Sequence, residues 1–171
     1  YERETTDSAN LLASAIKVKM KADLLWSDAA TGKIDAGNLL HDALKQVRYE
    51  GNEEVVVNKM KATGVLNDES KVELLQKLKT VIYHTEMNPF FKKEYQVITE
   101  RPLLKENEKI RIPDRVVIKN NEAIIIDYKT GKQKPEHQQQ LNDYANLLEE
   151  AGVKVKEKIL FYTAEQKKVV V

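Results

Sequence analysis

The chain has 171 residues, a formal net charge of +1, and 32% charged against 42% hydrophobic residues, a balance that suits one soluble domain with its own core. It has no cysteine, which excludes a disulfide framework, a cysteine nucleophile and any thiolate-held zinc or iron–sulfur centre. No apolar run approaches the ~18 residues that cross a bilayer, and the near-neutral charge argues against a domain that grips nucleic acid unaided. No secretory signal pattern opens the chain, and the lack of cysteine leads to the expectation of a reducing, cytoplasmic setting. The unusual first residue, Tyr1, suggests a segment of something longer.

The first elements read as helices. Residues 7–30 carry Leu11, Leu12, Ile16, Met20 and Leu24 or Leu25 at near-helical spacing, with Asp7 or Ser8 as N-cap. After a loop, "NLLHDALKQV" restarts a helix behind Gly37, and "NDESKVELLQKLKTVIYHTE" forms another, capped by Asn67 or Asp68 and followed by Pro89. Beyond Pro89 the pattern changes to β-rich runs: "YQVITERPLL", "RVVIK", "AIIIDYK", "KILFYT" and a short final "KKVVV". Between the third and fourth runs, "PEHQQQLNDYANLLEEAG" is a helix with Pro135 at its start and Gly152 at its end. One domain over 1–171 is expected, mainly helical over 1–88 and sheet-forming over 89–171. Its class is α/β (or α+β): a mixed sheet covered by helices.

The chemistry concentrates in "RIPDRVVIKNNEAIIIDYKTGK", residues 111–132. If Asn120 and Asn121 form a two-residue turn, Lys119 faces Glu122 and the pairing walks outward to Asp114 opposite Asp127. Directly opposed residues have Cβ atoms roughly 4.5–5.5 Å apart. Period-two alternation then sets Lys129 on the face of Asp127, with Tyr128 on the other. Two opposed carboxylates repel unless a cation lies between them. A divalent ion such as Mg²⁺ or Mn²⁺ suits that place; a salt-bridged hairpin end, with Lys129 neutralising one aspartate, is the plain structural alternative.

These motifs, "PDRVVI", "AIIIDYKTGK" and "HQQQLNDYANLL", resemble the RecB-like branch of the PD-(D/E)XK nucleases, in particular the C-terminal nuclease domains of bacterial UvrD/RecB-type helicase-exonucleases. That pattern joins an aspartate in a P-D-R context, a D-Y-K-T strand and a Q-x-x-x-Y helix, here Gln140 to Tyr144, with an upstream G-x-x-x-H helix, here Gly37 to His41. The likeness covers about residues 37–163. Arg111 departs from it, because many relatives have glycine three residues before the aspartate.

The resemblance implies a restriction-endonuclease-like core with an N-terminal helical layer, a bacterial cytoplasmic exonuclease, and DNA and a helicase as partners. It implies Asp114, Asp127 and His41 as ligands of Mg²⁺ or Mn²⁺, with the backbone carbonyl of Tyr128 as a further ligand. It makes Lys129 the catalytic lysine. Gln140 and Tyr144, one helical turn apart, would position substrate or support that lysine. Glu100 is a further acid that could lie behind the ligands or hold a second metal. Arg115, on the opposite strand face from Asp114, is expected either in a structural ion pair or on DNA. His84, His137 and Trp26 read as structural, and the lysines of "KVKMK" and "FFKKEY" as the local choices for phosphate contacts. Loss of the chemistry with retention of the fold, leaving a DNA-end-binding module, is the alternative. A free-standing endonuclease is a third reading.

Overall fold

The computed structural model describes residues 36–99, 103–105, 108–110 and 113–171. The helix expected over 7–30, with Trp26 and the lysines of "KVKMK", lies outside them.

Three helices come first: α1 (Ala36–Gln46), α2 (Glu53–Ala62) and α3 (Asp68–Ile82). Helix α1 buries Leu40, Ala43 and Leu44, a narrow stripe that continues into Val47 just past its end. In α3 the same logic buries Leu74, Leu78, Val81 and Ile82. Its start is fixed by a capping box: Asn67 accepts from the Ser70 N–H, and the Ser70 side chain accepts from the Asn67 N–H. Helix α2 was not legible in the periodicity, because its "VVV" run is β-branched and a poor helix former. It forms because Val56, Val57 and Met60 are drawn into the core, while Glu53 and Glu54 sit in its first turn. A 3-10 turn, Asn88–Phe91, carries Pro89 and buries Phe90 and Phe91.

The strands follow: β1 (Gln96–Ile98), β2 (Leu103–Lys105), β3 (Glu108–Ile110), β4 (Arg115–Lys119), β5 (Glu122–Lys129), β6 (Lys154–Tyr162) and β7 (Lys167–Val170), with α4 (Pro135–Glu150) between β5 and β6. The run "YQVITERPLL" thus contributes to two strands, β1 and β2. Strands β2 and β3 pair only with each other among the described residues.

The main sheet has the order β1-β4-β5-β6-β7. Its β5–β6 pair is parallel and its other pairs antiparallel, so the sheet is mixed, as expected. Asn120 and Asn121 adopt φ of 51° and 60°, the left-handed pair that a tight hairpin turn of this kind needs. Lys119 pairs with Glu122, and the ladder runs out to Arg115 opposite Ile126. Asp114 is the next residue along, so the expected register holds.

Alternation on β4 and β5 divides the core into two layers. Val117, Ile124, Ile126 and Tyr128 pack under α1, α2 and α3. Val116, Ile118, Ala123 and Ile125 pack under α4 through Leu141, Tyr144, Ala145 and Leu148. Each fully buried Leu or Ile in these layers contributes about 1.5–3 kcal/mol. The site sits where β5 leaves this core.

Candidate active site

Strand β5 is buried for six successive residues, Ala123 to Tyr128, and then emerges at Lys129. Its alternation sends Asp127 and Lys129 toward the α4 side and Tyr128 into the opposite layer. Asp114, just before β4, joins Asp127, and α1 brings His41 and Lys45 from one helical turn apart. These side chains, with Gln140 from α4, line a cavity of about 270 Å³.

The contacts are specific. His41 Nε2 donates to Asp114 Oδ2 at 2.8 Å, and the Tyr128 backbone N–H donates to the same oxygen at 2.8 Å. Lys45 Nζ lies 3.7 Å from Asp114 Oδ1. Lys129 Nζ lies 2.5 Å from Asp127 Oδ2 and donates to Gln140 Oε1 at 3.3 Å. Gln140 therefore braces the lysine from the neighbouring helix.

The two carboxylates are driven apart electrostatically. Burial works to raise Asp114, but the His41 hydrogen bond and charge, the Tyr128 N–H and Lys45 outweigh it and hold this carboxyl below its ordinary value. Asp127 moves the other way. Burial, followed by the neighbouring Asp114 charge, pushes it up to about 6 against the pull of Lys129. Two buried acids sharing a cavity thus lack enough positive charge to ionise together easily.

The sequence model of the PD-(D/E)XK nuclease superfamily matches residues 15–169. The chain belongs to that superfamily. Comparison with curated proteins gave no match. The five-stranded mixed sheet and the four described helices form the restriction-endonuclease-like α/β fold of the superfamily, whose members are generally metal-dependent nucleases.

The donor set fits a hard divalent ion such as the Mg²⁺ typical of the superfamily: two buried carboxylates, one imidazole and an open cavity beside them. Among the described residues no three His, Asp or Glu side chains are spaced as a finished metal cage. His41 leans on Asp114 and the Lys129 ammonium covers Asp127, a partial compensation that still leaves Asp127 raised.

Arg115 is held inside the fold. Its side chain is fully buried, and its guanidinium donates to the carbonyls of Val47 (2.7 Å), Phe90 (3.2 Å) and Arg48, over the Phe91 ring. These bonds run to backbone carbonyls and tie β4 to the end of α1. Tyr144 is likewise 1% exposed in the layer under α4, where burial pushes its phenol up to about 12. It is not among the residues lining the cavity and packs in this layer one turn along α4 from Gln140. Glu100 and Arg111 lie outside the described residues. Lys92, from "FFKKEY", pairs with Glu50 at 2.6 Å.

Two contributions escaped the sequence reading. Lys45 is i+4 from His41 and so shares its helical face, a spacing that could have signalled it. The Tyr128 N–H bond to Asp114 could not be read in advance, since it depends on how the chain enters β4.

No helix among the described residues is long and apolar enough to cross a membrane.

Proposed function

We propose that this chain is a metal-dependent DNA exonuclease domain of the RecB-like kind. It hydrolyses phosphodiester bonds in the cytoplasm beside a helicase that delivers its strand during recombination or repair. The observation that carries the reading is the convergence of Asp114, Asp127 and Lys129 at the emerging end of β5, with His41 closing the cavity from α1. The near-neutral net charge of +1 agrees with a domain fed by a partner.

His41, Asp114, Asp127 and the Tyr128 carbonyl would hold Mg²⁺ or Mn²⁺. When bound, such an ion supplies charge stabilisation at a phosphate oxygen and a lowered pKa for water. The chain's own residues do the rest. Asp127, raised to about 6 by burial and then by the Asp114 charge, is ionised at neutral pH and would present its carboxylate to the ion. Lys129, released from Asp127 and steadied by Gln140, orients the attacking water and stabilises charge developing in the transition state. Helix α1, through His41 and Lys45, and α4, through Gln140 and Leu141, form the cavity walls that would position the strand.

The experiment compares end-labelled linear DNA with covalently closed circular DNA in the presence of Mg²⁺ or Mn²⁺. An exonuclease consumes the linear form from its ends and spares the circle. Equal attack on both forms contradicts the exonuclease assignment, and attack on neither contradicts the nuclease reading.

A further inference from the structure

Beside the acidic cavity lies a second one of about 250 Å³, and the two share His41 and Lys129 as a common wall. Among the described residues, no carboxylate lines the second cavity. It is formed by the β5–α4 loop, with Thr130, Gly131, Lys132 and Lys134, and by His137 from the first turn of α4. Lys132 and Lys134 are exposed, so their ammonium groups are available to a ligand.

The frame of this cavity is fixed. The Thr163 N–H donates to the Lys129 carbonyl at 2.9 Å and its hydroxyl donates to the same oxygen at 3.2 Å, pinning the loop where it leaves β5. His137 Nδ1 lies 3.1 Å from the Tyr162 hydroxyl, which anchors the ring to β6. A Cβ on Gly131 would meet nothing within 4 Å, so the backbone there is open to close approach. Burial, and then the charges of Lys129 and Lys134, hold His137 below its ordinary pKa, with only Glu136 opposing them. The positive potential of the loop therefore converges on this point.

We propose that the second cavity seats a non-scissile phosphate of the substrate strand, adjacent to the phosphate held at Asp114 and Asp127, with Lys132 and Lys134 as its cationic contacts. This rests on the nuclease reading for the identity of the strand. The charge contrast between the two cavities then has a reason. The acidic one needs a metal to accept a phosphate, whereas the basic one accepts a phosphate directly. The shared Lys129 wall sets the register between the two.

The test measures binding of a fluorescent single-stranded oligonucleotide by anisotropy across a salt series, in the wild type and in Asp127→Asn. Lys132→Ala/Lys134→Ala is compared with Lys59→Ala/Lys71→Ala, which removes the same charge from α2 and α3. The expected result is an affinity loss of about tenfold for the loop pair at low salt, with a salt slope shallower by about 0.7–1.4, and little change for the control pair. Equal behaviour of the two double variants overturns the subsite, whether or not the protein cleaves DNA. If the wild type cleaves nothing while the loop pair still weakens binding selectively, the catalytic reading fails and the phosphate subsite stands.

Discussion

The His41 imidazole lies 2.8 Å from the Asp114 carboxylate, a contact across 73 residues that ties α1 to the mouth of the β4–β5 hairpin. His41→Ala leaves Asp114, among the described residues, with Lys45 and the Tyr128 N–H, and removes the imidazole that lines the cavity. Mn²⁺ affinity measured by calorimetry is expected to fall at least about tenfold. Unchanged affinity would remove His41 from the ligand set.

Asp127 predicts an inverted pH response. Its folded pKa, about 6, stands above its ordinary 3.8, so between those values the folded state binds more protons than the unfolded one. Stability contributed at this position therefore falls as pH rises from 3.8 to 6 and stays lost above it. Without metal, Asp127→Asn is expected to be about 2–3 kcal/mol more stable than wild type at pH 7.5. The gap should close near pH 4. Asp114 shifts the other way and interacts directly with Asp127, so the comparison reads the titration of the pair. Denaturant unfolding at the two pH values measures this; a wild type more stable than the variant at pH 7.5 would contradict the shift.

Lys45 contributes charge beside Asp114 and no part of the expected motif. Lys45→Met keeps the length of the side chain and removes its ammonium. Cleavage is expected to slow about tenfold, with kcat affected more than KM. Full activity in steady-state kinetics would reduce Lys45 to a wall of the cavity.

Arg115 is predicted to matter for stability alone. Arg115→Met leaves buried carbonyls of Val47 and Phe90 without their donor, and each costs about 1–3 kcal/mol. Unfolding free energy should drop by about 3–5 kcal/mol, while the salt dependence of DNA binding by the remaining folded protein stays as in wild type. A changed salt slope with intact stability would restore the DNA contact.

The hairpin was legible because its signals are local and agree with one another. Two asparagines tolerate φ > 0, two β-branched runs flank them, and period two does the rest. The site residues Asp114, Asp127 and Lys129 follow from that arithmetic, whereas His41 and Gln140 needed the family pattern, because no local rule brings α1 and α4 to the end of β5. Arg115 was legible only in part, for a related reason. Alternation correctly placed it on the far strand face, but only the packed α1 end and Phe91 show what it meets there. Helix α2 escaped because its burial against α3, rather than its propensity, makes it helical.

The central claim is tested most directly by degradation of linear single- and double-stranded DNA with Mg²⁺ or Mn²⁺, comparing wild type with Asp127→Asn and Lys129→Ala. Metal-dependent cleavage by wild type, abolished by chelation and reduced at least about 10²-fold in both variants, is the predicted result. Variants that cleave as well as wild type, or cleavage that survives removal of the metal, would contradict it.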